Sequence, residues 1–96
     1  MQRLEIIANR SVEEDLFDQL KRRGLSPFYT KLPEVQGVGD SGPRQGDHVW
    51  PEENFLMIIY CEQSVANQLR DLVGELKRLF PDEGITMFSV QAQRLD

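Results

Sequence analysis

Apolar residues alternate or recur in six stretches of this 96-residue chain. Leu4 to Ala8 alternates, with Leu4, Ile6 and Ala8 on one face, and predicts a first strand. Ser11-Val-Glu-Glu14 then has the spacing of a capping box, in which Ser11 takes a backbone N–H and Glu14 reaches back to the cap. Val12, Leu16 and Leu20, widened by Phe17, predict an amphipathic helix that stops at Gly24. Leu25 to Leu32 predicts a second strand, with Pro27 at its beginning or on an exposed edge. Phe55 to Cys61 is the most hydrophobic run, apolar on both alternating sets, and predicts a third strand that needs cover on both faces. Val65, Leu69, Leu72, Val73, Leu76 and Leu79 mark a second helix from Ser64 to Phe80, with Arg70 and Lys77 off the stripe, ended by Pro81. Ile85 to Val90 predicts a fourth strand.

The order β-α-β-β-α-β predicts an α+β, ferredoxin-like fold: a four-stranded antiparallel sheet with two helices on one face. Residues 1–96 make one domain, and the length leaves no room for a second. Two helices blanket only one sheet face, so the doubly apolar third strand implies that the other face meets another subunit.

Between the second and third strands lies Pro33 to Glu53, a stretch in which neither helix nor strand is expected to persist. It carries four of the seven glycines, three of the five prolines, the only His and the only Trp. A connection of this length in a compact domain is usually functional or disordered. Gly37-Val-Gly-Asp-Ser-Gly42 spells the dinucleotide-binding motif, but Pro43 follows and a strand comes next, so no helix N-terminus awaits a pyrophosphate. The glycines serve a sharp turn or a backbone nest for an anion, with Arg44 beside them as a bidentate donor; a plain hairpin tip with a solvated Arg44 is the competing reading.

Charge and composition narrow the partners. A net charge of −5 with scattered basic residues excludes nucleic acid as the main partner. No apolar run is long enough to insert into a membrane, and the first residues lack a signal region, so a cytoplasmic protein is expected. Cys61 lies on the apolar third strand, where a small core residue is expected rather than a nucleophile. Glu13, Glu14 and Asp15 read as helix-start charges. His48 with Glu52 nearby is a thin metal signal, short of a multi-ligand spacing. Trp50 is either a latch on the loop or an anchor for a partner protein.

With fold order and loop in hand, the chain resembles the PII-like nitrogen-regulatory signal proteins, in a divergent branch. The resemblance is carried by Pro33-Glu-Val-Gln-Gly-Val-Gly39, similar to the V-x-G-x-G that opens that family's regulatory loop, and by Gly42-Pro-Arg-Gln-Gly46 and Val49-Trp-Pro-Glu-Glu-Asn54. It implies a homotrimer with inward-facing sheets and a non-enzymatic role in signal transduction. It further implies clefts between subunits that take a small anionic effector such as an adenine nucleotide, and a loop that regulates a transporter or enzyme partner. The candidate ligand-binding residues are Gly37, Gly39, Ser41, Gly42, Arg44 and Arg94; those for a partner are Arg44, His48 and Trp50.

The chain also departs from that pattern. Where the main family has T-G-x-x-G-D-G-K before the fourth strand, this chain has Pro81-Asp-Glu-Gly84, without lysine and with two added negative charges that oppose a triphosphate. The loop contains no tyrosine to accept a uridylyl group, and the basic pair expected after the fourth strand is reduced to Arg94. An alternative of the same architecture is a divalent-metal-responsive binding protein using His48 and Glu52. A small enzyme is the third class, and no nucleophile–base pair can be named for it.

Overall fold

The computed structural model describes residues 1–38 and 52–96, with Glu52 described by its backbone alone. The elements are β1 (Gln2–Asn9), a 3₁₀ turn (Arg10–Val12), α1 (Glu13–Arg22), β2 (Thr30–Gly37), β3 (Glu52–Cys61), α2 (Gln63–Leu79) and β4 (Ile85–Gln91). The strands form one four-stranded sheet in the order β2-β3-β1-β4, and every neighbouring pair is antiparallel. This is the expected ferredoxin-like arrangement, with both helices against one face.

Alternation along the central strands explains why the helices settle where they do. Leu4, Ile6 and Ala8 of β1 and Phe55, Met57 and Ile59 of β3 are all buried, and they join Leu16 and Leu20 of α1 with Ala66, Leu69, Leu72, Val73 and Leu76 of α2 in one core. Leu79, expected on the buried stripe of α2, is exposed at the helix end. Ala66 takes a place in the core that the spacing had not assigned. Gly24 has φ of 66° and closes α1, as expected of a left-handed stop.

Three local expectations are corrected. Ser11 and Glu14 do not form a capping box. Asn9 is the cap instead: its side-chain Oδ1 accepts from the Ser11 N–H at 2.8 Å, a 3₁₀ turn follows, and the α-helix proper begins at Glu13. Asn9 ends β1 and reaches the amide two residues on, which leaves Ser11 inside the first turn rather than at its mouth.

The second strand does not begin at Leu25. Its ladder with β3 starts at the pair Thr30–Ile58 and runs to Gly37–Glu52, so Pro27 stays in the connection after α1. Pro33, expected to open the loop, lies inside β2. It is tolerated there because β2 is an edge strand and because the register slips between Leu32 and Val35, a bulge of one extra residue. The connection between β2 and β3 is correspondingly shorter than Pro33 to Glu53.

The edge strand is tied to α1 by side chains. Lys31 Nζ lies 2.6 Å from the Glu13 carboxylate and 5.5 Å from the centre of the Phe17 ring, and Phe17 in turn packs on Tyr29 with centroids 5.6 Å apart. At the top of the same edge, Arg10 reaches both Glu34 of β2 (3.5 Å) and Glu53 of β3 (2.9 Å).

A candidate ligand cavity beside the loop stems

Two structural features can do more than hold the fold. The first is a cavity of about 640 Å³ at the end of the sheet from which the long connection departs. Val35, Gln36, Gly37 and Val38 line one side, Pro81, Glu83, Gly84, Ile85 and Thr86 the other, and Ile7, Asn54 and Leu56 lie between them. Lys77, from the last turns of α2, also lines it. Its size falls in the range of small-molecule sites, and its walls are mainly apolar with a few polar groups, as such sites usually are.

The walls are held by the backbone. The Asn9 N–H donates to the Gly84 carbonyl at 2.9 Å and the Glu83 N–H to that of Phe80 at 3.1 Å, so the turn before β4 is fastened to the end of β1. Opposite, a Cβ on Gly37 would come within 3.2 Å of the Asn54 amide nitrogen, so glycine lets β2 close down on the buried Asn54. Gly37 thus has a steric reason to be glycine that its place in the G-x-G spelling did not reveal.

Of the other residues singled out from sequence, Gly39, Ser41, Gly42, Arg44, His48 and Trp50 lie outside the described residues, as does the side chain of Glu52. Arg94 follows β4 at the far end from the cavity: β4 begins beside it at Ile85 and runs to Gln91, roughly 20 Å at the rise of a strand. There Arg94 pairs with Asp96 at 2.7 Å. Within one chain, therefore, Gly37 and Arg94 are not brought together. Lys77 was overlooked as a site residue because, by spacing, it simply fell off the buried stripe; its place one turn before Pro81 was the available signal.

Other candidate chemistry is quieter. Among the described residues no three His, Cys, Asp or Glu side chains are grouped to hold a metal ion. Burial, and then the charge of Glu62, push the Cys61 thiol above its usual range, so it stays protonated at neutral pH and is a poor nucleophile. A shallower depression of about 650 Å³ at the start of α1 is lined by Arg10, Ser11, Glu13, Glu14, Phe17 and Glu53. Arg10, Glu13 and Glu53 are already engaged in the ion pairs described above, which leaves that depression little to offer a ligand.

The second feature is the sheet face that no helix among the described residues covers. Across it run three rows: Leu32, Leu56, Ile7 and Thr86; Thr30, Ile58, Glu5 and Phe88; and Tyr60, Arg3 and Val90. Leu32, Tyr60, Phe88 and Val90 are exposed, the last three by more than half. A contiguous apolar surface of this kind on a small domain marks an interaction site. It carries one charged cluster, in which Arg3 donates to the Tyr60 hydroxyl at 2.9 Å and to Glu5 at 3.0 Å.

No family model and no curated protein matches this sequence. Solved structures do. A PII-like signalling protein from Thermus thermophilus aligns over 93% of this chain and 83% of its own, with a TM-score of 0.61 and 24% identity. The fold is that of the PII-like signalling proteins. CPII, a nitrogen-regulatory PII-like protein from Thiomonas intermedia solved with ADP, AMP and bicarbonate, aligns over 97% of this chain and 88% of its own, with a TM-score of 0.61 and 20% identity. Its apo form gives 0.58 over 98% and 92%, at 17% identity. The PII-like fold agrees with the resemblance carried by Pro33 to Gly39. No helix among the described residues is long and apolar enough to cross a membrane.

Proposed function

We propose that this chain is a non-enzymatic, cytoplasmic PII-like regulator that works as a homotrimer. Its uncovered sheet face packs against two further copies. Its cavity takes a small anionic effector of the adenine-nucleotide class, and residues between β2 and β3 carry the signal to a partner protein such as a transporter or enzyme.

The observation that carries this reading is the cavity between Val35–Val38 and Pro81–Thr86, which opens beside the stems of the long connection. A ligand seated there touches the backbone from which that connection starts, so occupancy and loop conformation become linked: whatever the ligand binds more tightly in one arrangement, it populates. Support for the nucleotide class comes from the apolar walls and from CPII, a solved neighbour of the same fold that holds ADP and AMP. Support for the trimer comes from the apolar rows of the open face. Arg44, His48 and Trp50 are the side chains proposed to meet the partner, with Arg44, Gly37, Gly39, Ser41, Gly42 and Arg94 on the effector side. Arg94 would reach a cavity only from a neighbouring subunit.

Light scattering checks the assembly: the expected mass is three times that of the chain, and a monomer sinks the proposed assembly. A thermal-shift series with AMP, ADP and ATP checks the ligand, since a molecule that binds only the folded state raises the melting temperature. An unchanged melting temperature with all three would remove the nucleotide from the proposal.

A further inference from the structure

We infer that Asn54 reads the base of the bound nucleotide: its side-chain amide accepts from the 6-amino group of adenine and donates to the neighbouring N7. The inference rests on the reading that the cavity takes an adenine nucleotide, and it names the residue that recognises the adenine.

Among the described residues Asn54 is the only polar one that is buried, with 9% of its surface exposed. It stands in β3 between Asn9 of β1 and Val35 of β2, on the same face as Leu56 and Ile58. A strand interior disfavours Asn, and burying an amide without a partner costs stability. No hydrogen bond ties the Asn54 side chain to another described residue, yet neither of its amide atoms is wholly sealed from solvent. A side chain so enclosed keeps that access through the cavity it lines. The amide is thus presented to whatever fills the cavity, and a ligand that pairs with it accounts for its presence there.

Gly37 holds the amide at the loop stem. The end of β2 comes so close that a Cβ on Gly37 would lie 3.2 Å from Asn54 Nδ2. An amide offers an acceptor and a donor side by side, and adenine offers the complementary pair at N6 and N7. A 6-oxo purine offers acceptors at both positions and can use only half of the amide. Ile7, Val35 and Leu56, which also line the cavity, supply the apolar surface that the ring needs.

The experiment is calorimetric titration with AMP and with purine riboside monophosphate, which differs from AMP only in lacking the 6-amino group. The unmodified protein is expected to bind AMP about tenfold more tightly than the analogue, the scale of one hydrogen bond. Asn54→Leu should weaken AMP and bring the two nucleotides to within about twofold of each other, since no amide remains to tell them apart. Asn54→Asp, a change of the same size, keeps the acceptor and loses the donor; it should weaken AMP while preserving the preference for the amino group. Equal binding of the two nucleotides by the unmodified protein, or an undiminished gap in Asn54→Leu, overturns the assignment and leaves a nucleotide site in place. So does unchanged AMP affinity in Asn54→Asp. Were Asn54 instead a contact between subunits, Asn54→Leu would lower the mass by light scattering and weaken both nucleotides alike, which also overturns the assignment. Absence of binding of either nucleotide by the unmodified protein overturns the nucleotide reading and the assignment together.

Discussion

The two faces of the sheet are built from the same strands, residue by residue in alternation, and they meet different fates. On one face Phe55, Met57 and Ile59 lie fully buried under α1 and α2. On the other, Leu56 and Ile58 are half-buried and Tyr60 is more than half exposed, although these three are scarcely less apolar. The hydrophobic effect acts on both sets alike, since it depends on area and not on which element supplies the cover. What differs is the supply: the helices among the described residues suffice for one face. The open face therefore keeps apolar area in contact with water, and the proposed association would remove it.

The largest effect should come from the covered face. Phe55→Ala empties a fully buried position and is expected to cost about 3–5 kcal/mol, whereas Leu56→Ala, one residue along, should cost clearly less in the isolated chain. Denaturant midpoints for both variants, taken at a concentration where the chain is monomeric, would show the asymmetry. Equal losses would mean that the faces do not differ as described.

A charge on the open face tests the other half of the contrast. Phe88→Lys adds a cation to an exposed position and should leave the fold intact, as read by circular dichroism. It should also divide the proposed assembly, so that the mass by light scattering falls from three chains to one. A fully assembled Phe88→Lys protein would place the subunit contacts elsewhere.

The smallest effect sharpens the comparison at its polar corner. Tyr60→Phe keeps the ring but removes the hydroxyl that accepts from Arg3. The expected outcome is a small loss of stability, because the bond lies at the surface where water competes for both partners. A loss indistinguishable from zero in urea titration would show that the Arg3–Tyr60 bond is replaced by water without penalty.

Alternation and helical spacing made most of the fold legible. Leu4, Ile6 and Ala8, the stripe of α2 and the stop at Gly24 could be read directly, because burial imposes a period on apolar side chains and a left-handed turn favours glycine. Boundaries set by single hydrogen bonds were less legible. Ser11-Val-Glu-Glu14 has the letters of a cap, but Asn9 lies closer to the end of β1 and takes the amide first. Pro33 looked like the end of a strand because a central position would forbid it, and only the sheet order shows that β2 is an edge. The candidate cavity was half legible. Val35 to Gly39 could be singled out by its glycines, and the turn before β4 by its charges. That Lys77 joins them depends on how α2 ends relative to the sheet, which no local pattern encodes.

The slip between Leu32 and Val35 has one more consequence, for solution behaviour rather than for ligands. An exposed edge strand is a template on which a stray chain can add its own strand, and then another, toward a fibre. At Pro33 this template lacks an N–H, and the extra residue beside it breaks the even spacing that an incoming strand must match. The β2 margin therefore resists being copied. A chain with a broad exposed apolar face gains from having an edge that is a poor template for uncontrolled growth.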